Sequence, residues 1–208
     1  MDKFTCEEIK AVVFKLMKEE KLQNKIFVAG GSVPWLISGK DSGRKHGDID
    51  IVVEQKNMDL IREYLKAQGL YQQQLDSMFL NINLNNDDYG VEAFINKIPV
   101  NFAPFEQSGN DIIQKNFSVI TLAGFDALMK VTLKDISIDD YVTFYKLTDG
   151  IKISSYSLEA VKASKENSDR EKDVTDLQEI EKIGINKERY ERVKPAIQNM
   201  ALDIIPDK

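Results

Sequence analysis

Apolar side chains recur at helical spacing in two segments of the N-terminal half of the chain. The first segment begins with the capping-box pair Thr5 and Glu8. The second covers about residues 57–68 and is followed by Gly69, a residue type that commonly ends helices. Because one face of each segment is apolar and the other is charged, both are predicted to be helices that pack against a core. The first apolar stripe consists of Ile9, Val12, Val13, Leu16 and Met17.

Shorter apolar runs predict strands, and one later segment predicts a helix. Leu80, Ile82 and Leu84 alternate with asparagines, and residues 91–95 follow after a turn, which is the pattern of a hairpin. Further strand-like runs cover residues 98–105 and 117–122. Beyond Gly124 the apolar spacing changes to that of a helix. The residues that predict this helix are Phe125, Leu128, Met129 and Leu133.

Glycines and carboxylates are concentrated between Phe27 and Val53. A short apolar strand leads into Gly30-Gly31-Ser32, where backbone without Cβ atoms can approach a phosphate at the start of a helix. Ser32 is predicted to cap that helix, with Pro34 in its first turn. An ordinary strand-to-helix turn is the alternative explanation of these glycines.

Asp48 and Asp50 lie two residues apart on the next predicted strand, so their side chains project from the same face. Two carboxylates this close repel each other, and a cation between them would offset that repulsion. Mg²⁺ suits such a pair because it prefers oxygen ligands and completes its shell with substrate phosphates. The phosphate cradle and the carboxylates together indicate a nucleoside triphosphate.

These residues carry a resemblance to a known superfamily. The Gly30-Gly31-Ser32 turn, the loop ending in Arg44-Lys45-His46-Gly47 and the Asp48-Ile49-Asp50 strand resemble the signature of the polymerase β-like nucleotidyltransferases. The arrangement is most similar to that of the aminoglycoside 2''- and lincosamide nucleotidyltransferases. Ser32 replaces the tryptophan that usually follows the glycines there. The resemblance implies a nucleotidyltransferase that uses one or two Mg²⁺ ions and an NTP, with ATP the expected donor.

The resemblance also assigns roles to individual residues. Glu92, in an otherwise apolar predicted strand, matches the superfamily's third acid, which would ligate the metal, accept a proton from the attacking hydroxyl, or both. An edge glutamate facing water is the alternative. Arg44 and His46 would position nucleotide or substrate, unless local hydrogen bonds alone explain them. Residues 170–177 resemble a helical R-x-K-D-x-x-D-L segment, in which Lys172 or Arg170 would meet the triphosphate. The alternative there is a surface ion-pair ladder.

Composition narrows the function classes further. The 208 residues contain one cysteine, Cys6, so a disulfide framework is excluded and a reducing, cytoplasmic location is predicted. No apolar run is long enough for a membrane span. The net charge of −6 argues against a large nucleic-acid footprint. The only histidine, His46, cannot build a zinc site alone.

The resulting prediction is an α/β (α+β) nucleotidyltransferase fold. It consists of a catalytic domain over residues 1–122, with a mixed twisted sheet flanked by helices, and a helical C-terminal domain over residues 123–208. The predicted reaction transfers a nucleoside monophosphate to a hydroxyl of a small molecule, for example an aminoglycoside- or lincosamide-like antibiotic, in an antibiotic-resistance role. Two alternatives stay open: the same chemistry on a protein or tRNA, and a non-catalytic nucleotide-binding regulatory domain.

Overall fold

The computed structural model describes residues 3–118, 127–147 and 150–206. The described residues form one mixed sheet of nine strands, with seven α-helices around it. The strands are β1 Ile26–Val28, β2 Ile49–Glu54, β3 Val91–Ile95, β4 Ile98–Ser108, β5 Asp111–Ser118, β6 Ala127–Leu133, β7 Val142–Lys146, β8 Lys152–Tyr156 and β9 Ala201–Pro206. The helices are α1 Cys6–Lys18, α2 Val33–Ser38, α3 Met58–Ala67, α4 Ile138–Tyr141, α5 Leu158–Lys165, α6 Glu171–Ile183 and α7 Lys187–Gln198.

The two predicted N-terminal helices are confirmed. Helix α1 begins after the capping box, in which Thr5 and Glu8 exchange side-chain and backbone hydrogen bonds. Helix α3 ends at Ala67, and Gly69 takes a left-handed φ of +67° just beyond it. The apolar stripe of α1 is fully buried, as its spacing predicted. None of the helices in the described ranges is both long and apolar enough to cross a membrane.

The sheet runs in the order β7-β8-β1-β2-β4-β5-β6-β9. Strand β3 stands outside this order and pairs with the first half of β4. Strands β2 and β4 are parallel, whereas β1 and β2 are antiparallel. The predicted mixed α/β sheet flanked by helices is therefore confirmed. Its two faces bury separate apolar clusters. One cluster contains Ile49 and Ile51 of β2, and the other contains Val52 together with Ala103 and Phe105 of β4.

Two predicted elements are wrong. Residues 80–85, expected as a hairpin strand, form turns, and Leu84 is 88% exposed. Strand β3 pairs instead with β4. The predicted helix around Leu128 and Leu133 is strand β6, because Ala127–Leu133 pairs with β5 on one side and β9 on the other. Phe125 and residues 119–122 lie outside the described residues.

Residues 127–206 contribute four strands to the same sheet as well as four helices. The C-terminal segment, predicted as a helical domain, therefore contains strands as well as helices. Its helices α5 and α6 pack against α2, which follows the glycine turn. This packing brings the C-terminal helices to the end of β2 that carries the two aspartates. The division into two domains near residue 122 stays a prediction.

Candidate active site

A cleft of about 520 Å³ opens where the glycine turn, the 40–47 loop and the C-terminal helices meet. It brings together eight of the nine residues that the sequence singled out; Glu92 does not line it. The predicted residues in its lining are Gly30, Gly31, Ser32, Arg44, His46, Asp48, Asp50 and Lys172. These residues come from segments up to 142 positions apart, counted from Gly30 to Lys172. The fold therefore assembles the predicted residues into one concave site.

The alternation along β2 places the two aspartates as predicted. Ile49 and Ile51 point into the core cluster on one face, and Asp50 points from the opposite face into the cleft. Asp48 precedes the strand and lines the same cleft. Burial, followed by the negative charge of Asp48, raises the pKa of Asp50 to about 7, although Lys172 and Lys165 oppose the shift. Burial also raises the pKa of Asp48, against the opposing charge of Lys172.

Gly30 allows this carboxylate to approach the turn. Gly30 has a φ of +71°, and a Cβ atom there would lie 2.6 Å from Oδ2 of Asp50. A side chain at this position would strain the backbone and collide with the carboxylate of Asp50. The backbone of the glycine turn therefore lies directly against one of the two aspartates.

Gly31 lies against a different group of charges. A Cβ atom at Gly31 would lie 2.7 Å from Nη2 of Arg44 and 2.8 Å from Oδ2 of Asp176. Ser32, in contrast, makes no capping hydrogen bond to helix α2, so that prediction is wrong. The Ser32 side chain is buried and lines the cleft.

Asp176 of α6 is the centre of a buried hydrogen-bond network, and its side chain is fully buried. Its carboxylate accepts hydrogen bonds from Nη2 of Arg44 at 2.9 and 3.0 Å and from Nε1 of Trp35 at 2.7 Å. Nζ of Lys165 lies 3.0 Å from Oδ2 of the same carboxylate. Arg44 also donates to the carbonyl of Gly31 at 3.3 Å. The network therefore fixes helix α6 to the glycine turn.

Asp173, one turn earlier on α6, is equally buried. It pairs with Lys165 and accepts hydrogen bonds from Ser168 and from Nε of Arg170, both at 2.6 Å. Burial alone would raise the pKa of Asp173, but these hydrogen bonds outweigh it and hold the pKa well below its usual value. A surface ion-pair ladder, one of the two interpretations of residues 170–177, is thus wrong for Asp173 and Asp176. Lys165, which links them, was missed because its segment carries no motif.

His46 is buried between the N-terminus and the cleft. Its backbone pairs with that of Phe4, and its Nε2 lies 3.2 Å from Oγ of Ser42. Burial, followed by the charge of Arg44, lowers the pKa of His46 to about 4. The imidazole is therefore neutral near pH 7 and brings no positive charge to the cleft.

Glu92 occupies the same face of the sheet as Asp50, two strands away. In the register of the sheet, Asp50 of β2 is opposite Asn101 of β4, and Asn101 is opposite Glu92 of β3. Adjacent strands are spaced by about 4.8 Å, so the two acidic positions are roughly 10 Å apart along this row. Glu92 is 2% exposed, which contradicts the alternative of an edge glutamate facing water. Its role as a metal ligand or base stays a prediction.

The charge of the cleft differs in sign from that of the whole chain. Three aspartates line it, against six lysine or arginine side chains. Nε of Arg44 is buried and has no hydrogen-bond partner among the described residues. A positive, concave surface with an unpaired donor is suited to an anion. The six basic residues are Lys3, Arg44, Lys45, Lys165, Arg170 and Lys172.

The mixed sheet with its parallel β2–β4 pair is similar in fold to a solved structure, the solution structure of the antibiotic-resistance factor ANT(2'')-Ia. It is 14% identical in sequence, the match covers 92% of each chain, and the TM-score is 0.55. No protein-family model and no curated protein sequence matches the chain.

Proposed function

We propose that this protein is a Mg²⁺-dependent nucleotidyltransferase that transfers a nucleoside monophosphate from an NTP to a hydroxyl of a small-molecule acceptor. One observation carries the proposal: Asp48 and Asp50 share a cleft with the glycine turn and with Lys172 from the C-terminal helices. Carboxylates suited to a metal, backbone suited to phosphates and a mobile cationic side chain are the parts that phosphoryl transfer requires.

The donor set fits a magnesium ion, although the described residues contain no group of three His, Cys, Asp or Glu side chains spaced to hold a metal. Mg²⁺ is usually bound through one or two carboxylates, with waters and substrate phosphates in its remaining positions. Asp48 and Asp50 supply two carboxylates whose repulsion a cation would relieve. When bound there, the ion would neutralise charge on the phosphates and on the leaving pyrophosphate.

The chain's own residues would bind and orient the triphosphate. The backbone at Gly30 and Gly31 lines the cleft without side chains, because a Cβ atom at either position would collide with Asp50, Arg44 or Asp176. Lys172, exposed in the first turn of α6, can reach toward the negative charge, whereas Arg170 beside it is hydrogen-bonded to Asp173. Lys165 is held by two aspartates and would act instead by keeping α5, α6 and the glycine turn together.

The proton of the attacking hydroxyl needs an acceptor, and Glu92 is the residue we assign to that role. It lies on the sheet face that carries Asp50, separated from it by Asn101. A carboxylate within reach of the acceptor hydroxyl would serve as a general base.

A small acceptor is favoured over a protein or a tRNA. The cleft volume of about 520 Å³ lies within the roughly 300–1,000 Å³ of small-molecule sites. The similarity to an antibiotic-resistance factor makes an antibiotic a candidate acceptor. ATP is the expected donor, and a cytoplasmic location suits such an enzyme. Retention of both aspartates and the glycine turn argues against a non-catalytic domain.

The test has a binding arm and a transfer arm. Calorimetry should show that each NTP binds with Mg²⁺ and binds much more weakly without it, because the phosphates complete the metal shell. Incubation with α-labelled NTPs, Mg²⁺ and hydroxyl-bearing small molecules should then give a nucleoside monophosphate ester, detected by mass. Equal NTP affinity with and without Mg²⁺, in folded protein, would refute the proposal.

A further inference from the structure

A second, smaller cavity of about 200 Å³ adjoins the glycine cleft at Asp50. Asp50 and Gly30 line both cavities, so the two are joined at the aspartate. In an in-line displacement, the attacking hydroxyl and the leaving pyrophosphate lie on opposite sides of the phosphorus. If the triphosphate occupies the cleft beside the glycine turn, this adjoining cavity is the space beside Asp50 that remains for the acceptor hydroxyl.

Amide groups from the central strands line this cavity. Asn101 is 9% exposed, and its Nδ2 donates to Oδ1 of Asn116 at 2.6 Å and to the carbonyl of Phe117 at 3.3 Å. Its Oδ1 atom is buried without a hydrogen-bond partner among the described residues. An unpaired buried acceptor is costly, so it indicates a ligand that donates a hydrogen bond there.

Gln114 offers a hydrogen-bond donor to the same cavity. Its Oε1 accepts hydrogen bonds from two tyrosine hydroxyls, Tyr141 at 3.1 Å and Tyr156. Because both tyrosines bind the oxygen, the Nε2 end of the amide remains to donate. Asn116, whose oxygen is used by Asn101, likewise has N–H groups that make no side-chain hydrogen bond to another described residue. The cavity thus offers an acceptor at Asn101 and donors at Gln114 and Asn116.

We infer that this cavity, defined by Asp50, Asn101, Gln114, Asn116 and Tyr156, binds a neutral polyhydroxylated part of the acceptor, such as a sugar ring. A hydroxyl is a small neutral group that can donate to Asn101 and accept from Gln114 at the same time. The cavity is smaller than the roughly 300–1,000 Å³ that encloses a whole drug-sized ligand, so it holds one part of the acceptor.

The same lining disfavours a polycationic group. Ammonium groups leaving water need carboxylates around them to offset the loss of hydration. Among the described residues that line this cavity, Asp50 is the single carboxylate, and it is the residue we assign to the metal. Glu92 pairs with Asn101 in the sheet but does not line the cavity, and we assign it to the proton of the acceptor hydroxyl. The inference rests on the proposed function and narrows the substrate class within it.

The inference is tested with two sets of acceptors, wild-type protein, Mg²⁺ and α-labelled NTPs. Neutral probes are methyl glucoside, sucrose and myo-inositol, and polycationic probes are kanamycin and tobramycin. We expect labelled product from the neutral set. Label on the polycations alone, or on no neutral probe, would overturn the inference. The calorimetric test of Mg²⁺-dependent NTP binding remains separate, so failure of the proposed function is recognised by the loss of that binding.

A variant then assigns the effect to the cavity. Gln114→Glu keeps an oxygen for both tyrosine hydroxyls but replaces the donor with a second acceptor and a negative charge. The KM for the neutral acceptor should rise about tenfold or more, while the KM for NTP stays unchanged. Gln74→Glu, the same substitution at an exposed position outside both cavities, is the control. A Gln114→Glu enzyme with the wild-type KM for its acceptor would contradict the assignment.

Discussion

Replacing Asp176 with asparagine tests whether the buried network holds the cleft together. The variant keeps the shape of the side chain and an oxygen that can still accept from Trp35. It removes the charge that pairs with Arg44 and Lys165. Removing one partner of a buried ion pair costs roughly 3–5 kcal/mol, since the other charge is left buried and unpaired.

The loss in the free energy of unfolding for Asp176→Asn should lie below that range. Lys165 retains its pair with Asp173, and the side chain of Arg44 is 22% exposed. We therefore expect a loss of about 2–3 kcal/mol in the free energy of unfolding. For a chain of this length each kcal/mol lowers Tm by about 2–4 °C, so the decrease should be about 4–12 °C. Urea unfolding followed by circular dichroism measures the free energy, and calorimetry measures Tm.

Glu179→Gln on the same helix is the matched control. The carboxylate of Glu179 is as buried as that of Asp176, at 1% exposure. Its partners Lys40 and Lys182 are 59% and 63% exposed, so they remain hydrated when the charge is lost. The control should lose about 1 kcal/mol or less. An Asp176→Asn protein no less stable than this control would refute the interpretation of the network.

Four further outcomes follow from the site. Asp50→Asn should abolish transfer while leaving the metal-free protein at least as stable as wild type in thermal melts, because one of two repelling carboxylates is removed. Lys172→Gln should raise the KM for NTP about tenfold with little change in Tm, since its exposed side chain supports phosphate and not the core. Glu92→Gln should lower transfer about 10²- to 10⁴-fold with NTP binding retained if Glu92 is the base; recovery by added Mg²⁺ would instead identify a metal ligand. Asp173→Asn should flatten the acid side of the stability curve measured by urea unfolding, because a carboxyl with a lowered pKa contributes stability that is present above about pH 4 and lost as pH falls.

Local patterns predicted the elements whose partners are close in sequence. The Thr5–Glu8 capping box and the alternation of Ile49, Asp50 and Ile51 depend on neighbours a few residues away, and both are confirmed. Strand β6 depends on two partner strands, the neighbouring β5 and the distant β9. Its apolar spacing fits a helix, but pairing with β5 on one side and with β9, about 70 residues later, on the other satisfies its backbone as a strand. A single segment carries no information on that pairing.

The site residues that the sequence did not identify also depend on partners far away in the sequence. Lys165 approaches Asp176 only because α5 and α6 turn back against α2, and no spacing in the sequence shows this. Asn101 and Gln114 are ordinary polar residues within strands, and their importance follows from the unpaired oxygen and the paired tyrosines around them. A motif is visible in the sequence because its residues keep a fixed spacing. Lys165, Asn101 and Gln114 are brought to the site by tertiary packing, so no spacing identifies them.

The net charge of the whole chain also differs from the charge of a single cleft. A net charge of −6 argues against a large nucleic-acid footprint, yet six of the chain's 28 lysines and arginines line one cleft. The field at a site depends on charges within about 10 Å, since salt screens the more distant ones. Asp173 and Asp176 neutralise part of this positive charge from beneath, which lets Lys165 and Arg44 remain close together without a ligand. A triphosphate would therefore meet the exposed Lys172 in a cleft whose other cations are already held in place, and the chain's overall acidity would still disfavour a long nucleic-acid backbone.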